Sequence, residues 1–111
     1  MYLLSLGVQK DDLQALKWLK KSAMQNYDPA QYELGIMYAN GEGAKRNYEK
    51  AVYWFEKAAL QNNLKAQNKL GIFYSNGWGV EKNKEKAKYW LSKSLLEETS
   101  IKQSRKNFYS Q

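Results

Sequence analysis

Apolar positions recur along this chain at helical spacing, in short blocks separated by glycine-bearing turns. From Asp28 onward, Ala30, Leu34, Met37 and Tyr38 fall on one face of a helix. Asp28 stands as its N-cap, with Pro29 at the first helical position. Gly41 and Gly43 end it, because glycine takes the left-handed conformation without a Cβ clash. Asn47 caps a second helix, whose apolar stripe is Ala51, Trp54, Phe55 and Ala58. The same sequence of signals returns with Asn63, Gly77, Gly79 and Asn83. Upstream, Asp11 takes the capping place, and Gln14 three residues on completes a capping-box pattern.

This return is a repeat with a step of 36 residues. Trp18, Trp54 and Trp90 keep it, as do Ala15, Ala51 and Ala87, and Lys21, Lys57 and Lys93. About half of the positions in 30–59 recur unchanged in 66–95. Tyr2, Gly7 and Val8 match Tyr38, Gly43 and Val80, so the first copy is cut short. The pattern predicts one repeat domain over 1–111: a partial repeat (1–27), two full repeats (28–62 and 63–98) and a short capping helix (99–111). Ser100 with Gln103 forms a capping box for that last helix, and Ile101, Ser104, Arg105 and Phe108 share a face. A helix pair cannot bury its apolar face alone, so the units must stack. The expected fold is all-α, an α/α superhelix of stacked helix–turn–helix units. In it the periodic tryptophans belong to the core.

The composition narrows the chemistry. There is no cysteine and no histidine among the 111 residues. Disulfides, thiolate nucleophiles, imidazole bases and the common zinc and copper ligands are therefore excluded. No paired carboxylates stand at a catalytic spacing, so neither enzymatic activity nor a cofactor is expected. The G-x-G of each turn lacks the following G-K-S/T of a phosphate loop. No apolar run approaches the roughly 18 residues of a membrane span. The apolar opening Met1–Leu6 has no basic residue before it and no cleavage site after it, so a cytoplasmic location is expected, or a periplasmic one if a precursor segment was removed. The net charge of +7 favours acidic partners.

The fixed positions resemble a known pattern. Ala30, Leu34, Gly35, Tyr38, Gly41, Gly43, Lys50, Ala51, Trp54, Lys57, Ala58 and Ala59 match the SEL-one-like repeat family, a relative of the tetratricopeptide repeat. The third copy matches through Ala66, Leu70, Gly71, Tyr74, Gly77, Gly79, Val80, Lys86, Ala87, Trp90 and Lys93, departing at Ser94 and Leu95. The first copy has Ser5 where the others have glycine. The resemblance implies a right-handed superhelix whose first helices line the concave side. It also implies a protein-binding role: a bacterial adaptor or inhibitor, including immunity proteins that neutralise toxic effectors, or a scaffold for signalling proteins.

Residues that break the repeat are the candidates for partner contact. Trp78 stands where the other copies have Leu6 and Glu42, between two turn glycines. It either packs on a neighbouring loop or is offered to a partner. Tyr32, Ile36 and Ala39 lie opposite the Ala30–Leu34–Tyr38 stripe, and the third copy has Asn68, Ile72 and Ser75 there. Tyr32 and Asn68 differ between copies. Ile36 and Ile72 either meet a partner or pack between units. Leu3, Leu4 and Leu6 replace polar residues of the later copies, which makes Leu4 a candidate for self-association or partner docking at the N-terminal end. A nucleic-acid surface on the second-helix lysines is the rival reading. No groove-reading motif or base-stacking series accompanies those lysines.

Overall fold

The computed structural model describes the backbone of residues 10–109 and the side chains of residues 13–96. The candidate Leu4 and the matches at Tyr2, Gly7 and Val8 lie outside the described residues. Five helices and no strand are found among the described residues: α1 (Lys10–Met24), α2 (Asp28–Asn40), α3 (Tyr48–Ala59), α4 (Leu64–Asn76) and α5 (Lys84–Tyr109). Each packs chiefly on its neighbours in the chain, α1 on α2, α2 on α3, α3 on α4 and α4 on α5. Contacts between consecutive elements are what a stacked repeat array requires.

The core is the predicted stripe. Ala30, Leu34, Met37 and Tyr38 of α2 are buried, as are Ala51, Val52, Phe55, Ala58 and Ala59 of α3. Close approach of the helices rests on small residues. A Cβ at Gly35 would lie 2.6 Å from the Phe55 ring, and one at Gly71 would lie 2.5 Å from Leu91. Both glycines sit mid-helix, where they weaken helix propensity. They are there because the next helix occupies the space a side chain would need.

The turns are built alike. Gly41 and Gly77 adopt φ of 73° and 72°, and their N–H groups bond back to the Met37 and Phe73 carbonyls. Asn47 N–H then bonds to Tyr38 O and Asn83 N–H to Tyr74 O, closing each loop onto its own first helix. The Asn47 side chain accepts from Lys50 N at 3.0 Å, and the Asn63 side chain from Ala66 N at 2.9 Å, as predicted caps.

Four expectations are corrected. The N-cap of α2 is Tyr27, without a side-chain cap, and Asp28 is already helical. The Asp28 carboxylate instead accepts from Asn63 Nδ2 at 2.8 Å, so it joins two successive repeats. Asp11 lies inside helix α1, whose described residues run from Lys10. Helix α5 runs through Glu97 and Glu98 to Tyr109 without a break, so no separate capping helix begins near Ser100. The periodic tryptophans are not equivalent: Trp90 is 8% exposed, Trp54 is half-buried and Trp18 is 61% exposed. Trp54 lines a cleft together with Ala23 and Met24 of the preceding unit. No unit precedes α1 among the described residues, and Ala15 is exposed with Trp18.

One buried feature escaped the sequence reading. Gln31 and Gln67 occur at the same repeat position and are almost wholly buried. Each donates through Nε2 to a carbonyl in the last turn of the preceding second helix, Ala23 O and Ala59 O, both at 3.1 Å. Gln61 Nε2 then bridges Asn26 O and Gln31 Oε1, each at 3.0 Å. Asn26 and Asn62 hold the left-handed turns that bring these carbonyls round, with φ of 69° and 67°. The glutamines serve as polar joints between units. Their exact recurrence was the signal that marks them.

Candidate partner-binding groove

The first helices of the second and third repeats, α2 and α4, leave a groove between them. Its floor is aromatic. The Tyr32 ring lies 5.9 Å from Phe55, Phe55 lies 5.3 Å from Phe73, and Phe73 lies 5.4 Å from Trp78, the last two pairs edge to face. Trp78 in turn stacks on Tyr48 at 5.7 Å and 23°. The Arg46 guanidinium sits 5.3 Å from the Tyr48 ring centre. Edge-to-face and offset pairs at these separations are favourable geometries for aromatic rings. The series therefore forms a rigid base running from Tyr32 at one end of the groove to Trp78 at the other.

Three adjoining depressions follow this base. One of about 200 Å³ is lined by Ile36, Ala39, Tyr48, Phe55, Lys69 and Trp78. A second of about 400 Å³ is lined by Tyr32, Leu64, Lys65, Asn68 and Lys69, with Ser94 and Leu95 of α5. A third of about 330 Å³ lies between Pro29, Tyr32 and Glu33 on α2 and Asn63, Leu64 and Lys65 on α4. Lys69 is shared by the first two and Tyr32 by the last two, which makes the surface continuous. The walls carry different charges: Glu33 on α2, Lys65 and Lys69 on α4. The Tyr32 phenol is held above its ordinary pKa, first by burial and then by the nearby Glu33 carboxylate. It is a neutral hydrogen-bonding group at physiological pH.

The candidates from the sequence meet here unevenly. Tyr32, Ile36, Asn68 and Trp78 all line the groove. Trp78 does both things expected of it, since it packs on Tyr48 and keeps 41% of its surface exposed. Ile36 packs against the core and also faces the groove. Ile72 packs against the core and lines none of the three depressions. Tyr48, Phe73, Lys65 and Lys69 were missed. They too differ from their repeat counterparts, Lys84, Met37, Pro29 and Glu33, so the test that selected Tyr32 and Asn68 would have found them.

Sel1 repeats, the SEL-one-like pattern, match residues 1–27, 28–63 and 64–96. The chain belongs to the Sel1 repeat family. Sel1 repeats generally act as protein-interaction scaffolds. Among solved structures, the chain resembles a Sel1 repeat protein from Oxalobacter formigenes at 32% identity and a TM-score of 0.73, covering 74% of this chain and 63% of that one. It resembles c5321, a protective antigen of uropathogenic Escherichia coli with an SLR fold, at 40% identity and a TM-score of 0.77, covering 80% of this chain and 19% of that one. It also resembles Helicobacter pylori cysteine rich protein B at 29% identity and a TM-score of 0.69, covering 72% of this chain and 60% of that one. The match thus spans less than two thirds of each of these Sel1 repeat structures. A comparison with curated proteins finds no match.

Within the Sel1 framework, the groove residues stand apart from the close contacts between helices. The residues that hold a Sel1 unit together, such as Leu34, Gly35 and Ala51, are buried or contact the next helix. Tyr32, Asn68, Lys69 and Trp78 sit on the surfaces the repeat leaves open. No group of three or more acidic residues that could hold a metal ion occurs among the described residues.

Proposed function

We propose that the chain is an adaptor or inhibitor that holds a segment of a protein partner in the α2–α4 groove, with Trp78 anchoring one end. The observation that carries this reading is the aromatic series from Tyr32 to Trp78, in which the buried Phe55 and Phe73 rings fix the partly exposed rings at its two ends. Rigid aromatic surface binds with little further loss of conformational entropy, which is why such residues dominate interface energetics. Asn68, Lys65 and Lys69 supply the polar rim. An inhibitor of a toxic effector would use the same groove.

The test is a pull-down from the native host, followed by calorimetric titration of the captured partner. Asn68→Arg and Tyr32→Ala are expected to weaken binding at least tenfold, with helicity unchanged. Full affinity in both variants would move the interface away from the groove.

A further inference from the structure

The second helices carry a surface unrelated to the groove. On α3, Tyr53, Lys57 and Leu60 follow at spacings of four and three residues, which places them on one helical face. The third repeat has Tyr89, Lys93 and Leu96 at the same positions, and the first has Lys17, Lys21 and Met24. The last member of each stripe is a large apolar side chain in water: Met24 is 77% exposed, Leu60 70% and Leu96 69%. Met24 and Leu60 are each followed by a further repeat and still remain uncovered. Their neighbours Ala23 and Ala59 are buried by that same stacking. The exposure therefore belongs to the face and does not come from the end of the array.

Aromatic rings and lysines surround this aliphatic row. Tyr53, Tyr89 and Trp18 are exposed, and Tyr27 is exposed beside Met24 at the α1–α2 turn. Lys57 lies 5.4 Å from the Tyr53 ring centre and Lys21 5.4 Å from that of Trp18. Met24, Tyr53, Trp54 and Lys57 line one cleft of about 310 Å³, so the elements of neighbouring stripes are in contact range of a single bound group. Along the three stripes Lys17, Lys21, Lys57 and Lys93 outnumber the carboxylates of the same helical face, Glu49 and Glu85.

We propose that this face is a docking surface for an anionic lipid bilayer. A bilayer boundary offers both phases that the stripes need. Lysines meet headgroup phosphates, tyrosine and tryptophan rings sit at the headgroup level, and the aliphatic tips enter the acyl region. Charge alone would serve a nucleic acid equally well, but Met24, Leu60 and Leu96 have no apolar phase to enter on a phosphate backbone. The groove is lined chiefly by α2 and α4, and the second-helix residues that join it, Tyr48, Phe55, Ser94 and Leu95, are not members of the stripes, so a membrane-docked chain keeps it open to a protein partner.

Flotation of the full chain with vesicles tests this. Phosphatidylcholine vesicles containing phosphatidylglycerol are expected to bind it at least tenfold more tightly than phosphatidylcholine alone. The double variant Met24→Glu/Leu60→Glu should lose that binding with unchanged helicity, as should Lys21→Glu/Lys57→Glu. Quenching of tryptophan emission by brominated acyl chains should be seen in the parent and disappear in the aliphatic variant. Failure of the parent to float with anionic vesicles overturns the proposal. So does an aliphatic variant that binds like the parent, or a short DNA duplex that binds more tightly than the vesicles and is insensitive to Met24→Glu/Leu60→Glu. Groove variants such as Asn68→Arg should leave vesicle binding intact, which separates this surface from the proposed protein site.

Discussion

Gly79 of the third repeat lies directly against the backbone of Tyr48, the first residue of α3 in the second repeat. A Cβ at Gly79 would collide with the Tyr48 carbonyl, and the residue's φ of 72° is itself costly for any other amino acid. The turn glycines thus have two jobs. Gly77 ends a helix in the left-handed conformation, with Lys82 Cβ no closer than 3.3 Å to an added Cβ. Gly79 lets one repeat sit on the start of the helix before it, with the Trp78 ring stacked on that of Tyr48.

Alanine substitutions should separate these two jobs. Gly77→Ala carries the conformational penalty alone, about 1–2 kcal/mol. Gly79→Ala adds backbone overlap and should cost about 3 kcal/mol or more, since overpacking against a fixed backbone has no cheap relaxation. Urea denaturation of both variants measures the difference. Equal midpoints would mean that the contact at Tyr48 yields freely.

The three periodic tryptophans should respond in graded fashion. Trp90→Ala removes a buried ring and is expected to cost about 3–5 kcal/mol. Trp18, exposed beside Lys21, should be replaceable by alanine within about 0.5 kcal/mol. Trp54→Ala should fall between them. A thermal-melt series showing equal losses for all three would restore the simple reading of the repeat.

Gln61 should matter through Gln31. Gln61→Ala removes the donor to the buried Gln31 Oε1 and the bridge to Asn26 O, and should destabilise by about 1–3 kcal/mol. Gln25→Ala, one repeat earlier and exposed, serves as the control. Chemical denaturation with the control unchanged and Gln61→Ala shifted is the expected outcome.

Proline reports on the continuity of α5. In a helix running from Lys84 to Tyr109, Ile101→Pro removes a backbone donor and clashes with the preceding turn, at about 3 kcal/mol of local helix stability. At the first turn of a separate helix the same proline would be accepted. Circular dichroism should therefore show a loss of helicity. An unchanged spectrum would place a helix start near Ser100 after all.

The helix pairs, their turn glycines and most of the core were legible because repetition exposes them. The 36-residue step isolates residues that every unit needs, and the spacing of Ala30, Leu34 and Tyr38 gives the buried face directly. Four of the six candidate contact residues, Tyr32, Ile36, Asn68 and Trp78, line the groove; Tyr32, Asn68 and Trp78 depart from the repeat, whereas Ile36 keeps it. Ile72 joins the core instead, and Leu4 lies outside the described residues.

The order of residues along the chain thus defines the repeating unit: its helices, its left-handed turns and the small residues that admit a neighbour. Those features depend on backbone conformation and on contacts that every unit repeats. How each copy is used depends on packing in three dimensions. Identical tryptophans at 18, 54 and 90 have different burial, which their shared repeat position does not reveal. Tyr32, Phe55, Phe73 and Trp78 become one surface because α2, α3 and α4 bring together residues from two repeats. Gln31, Gln61 and Asn26 become one joint for the same reason. Periodicity reports what a unit does alone, whereas a groove or a joint is a property of two units packed together.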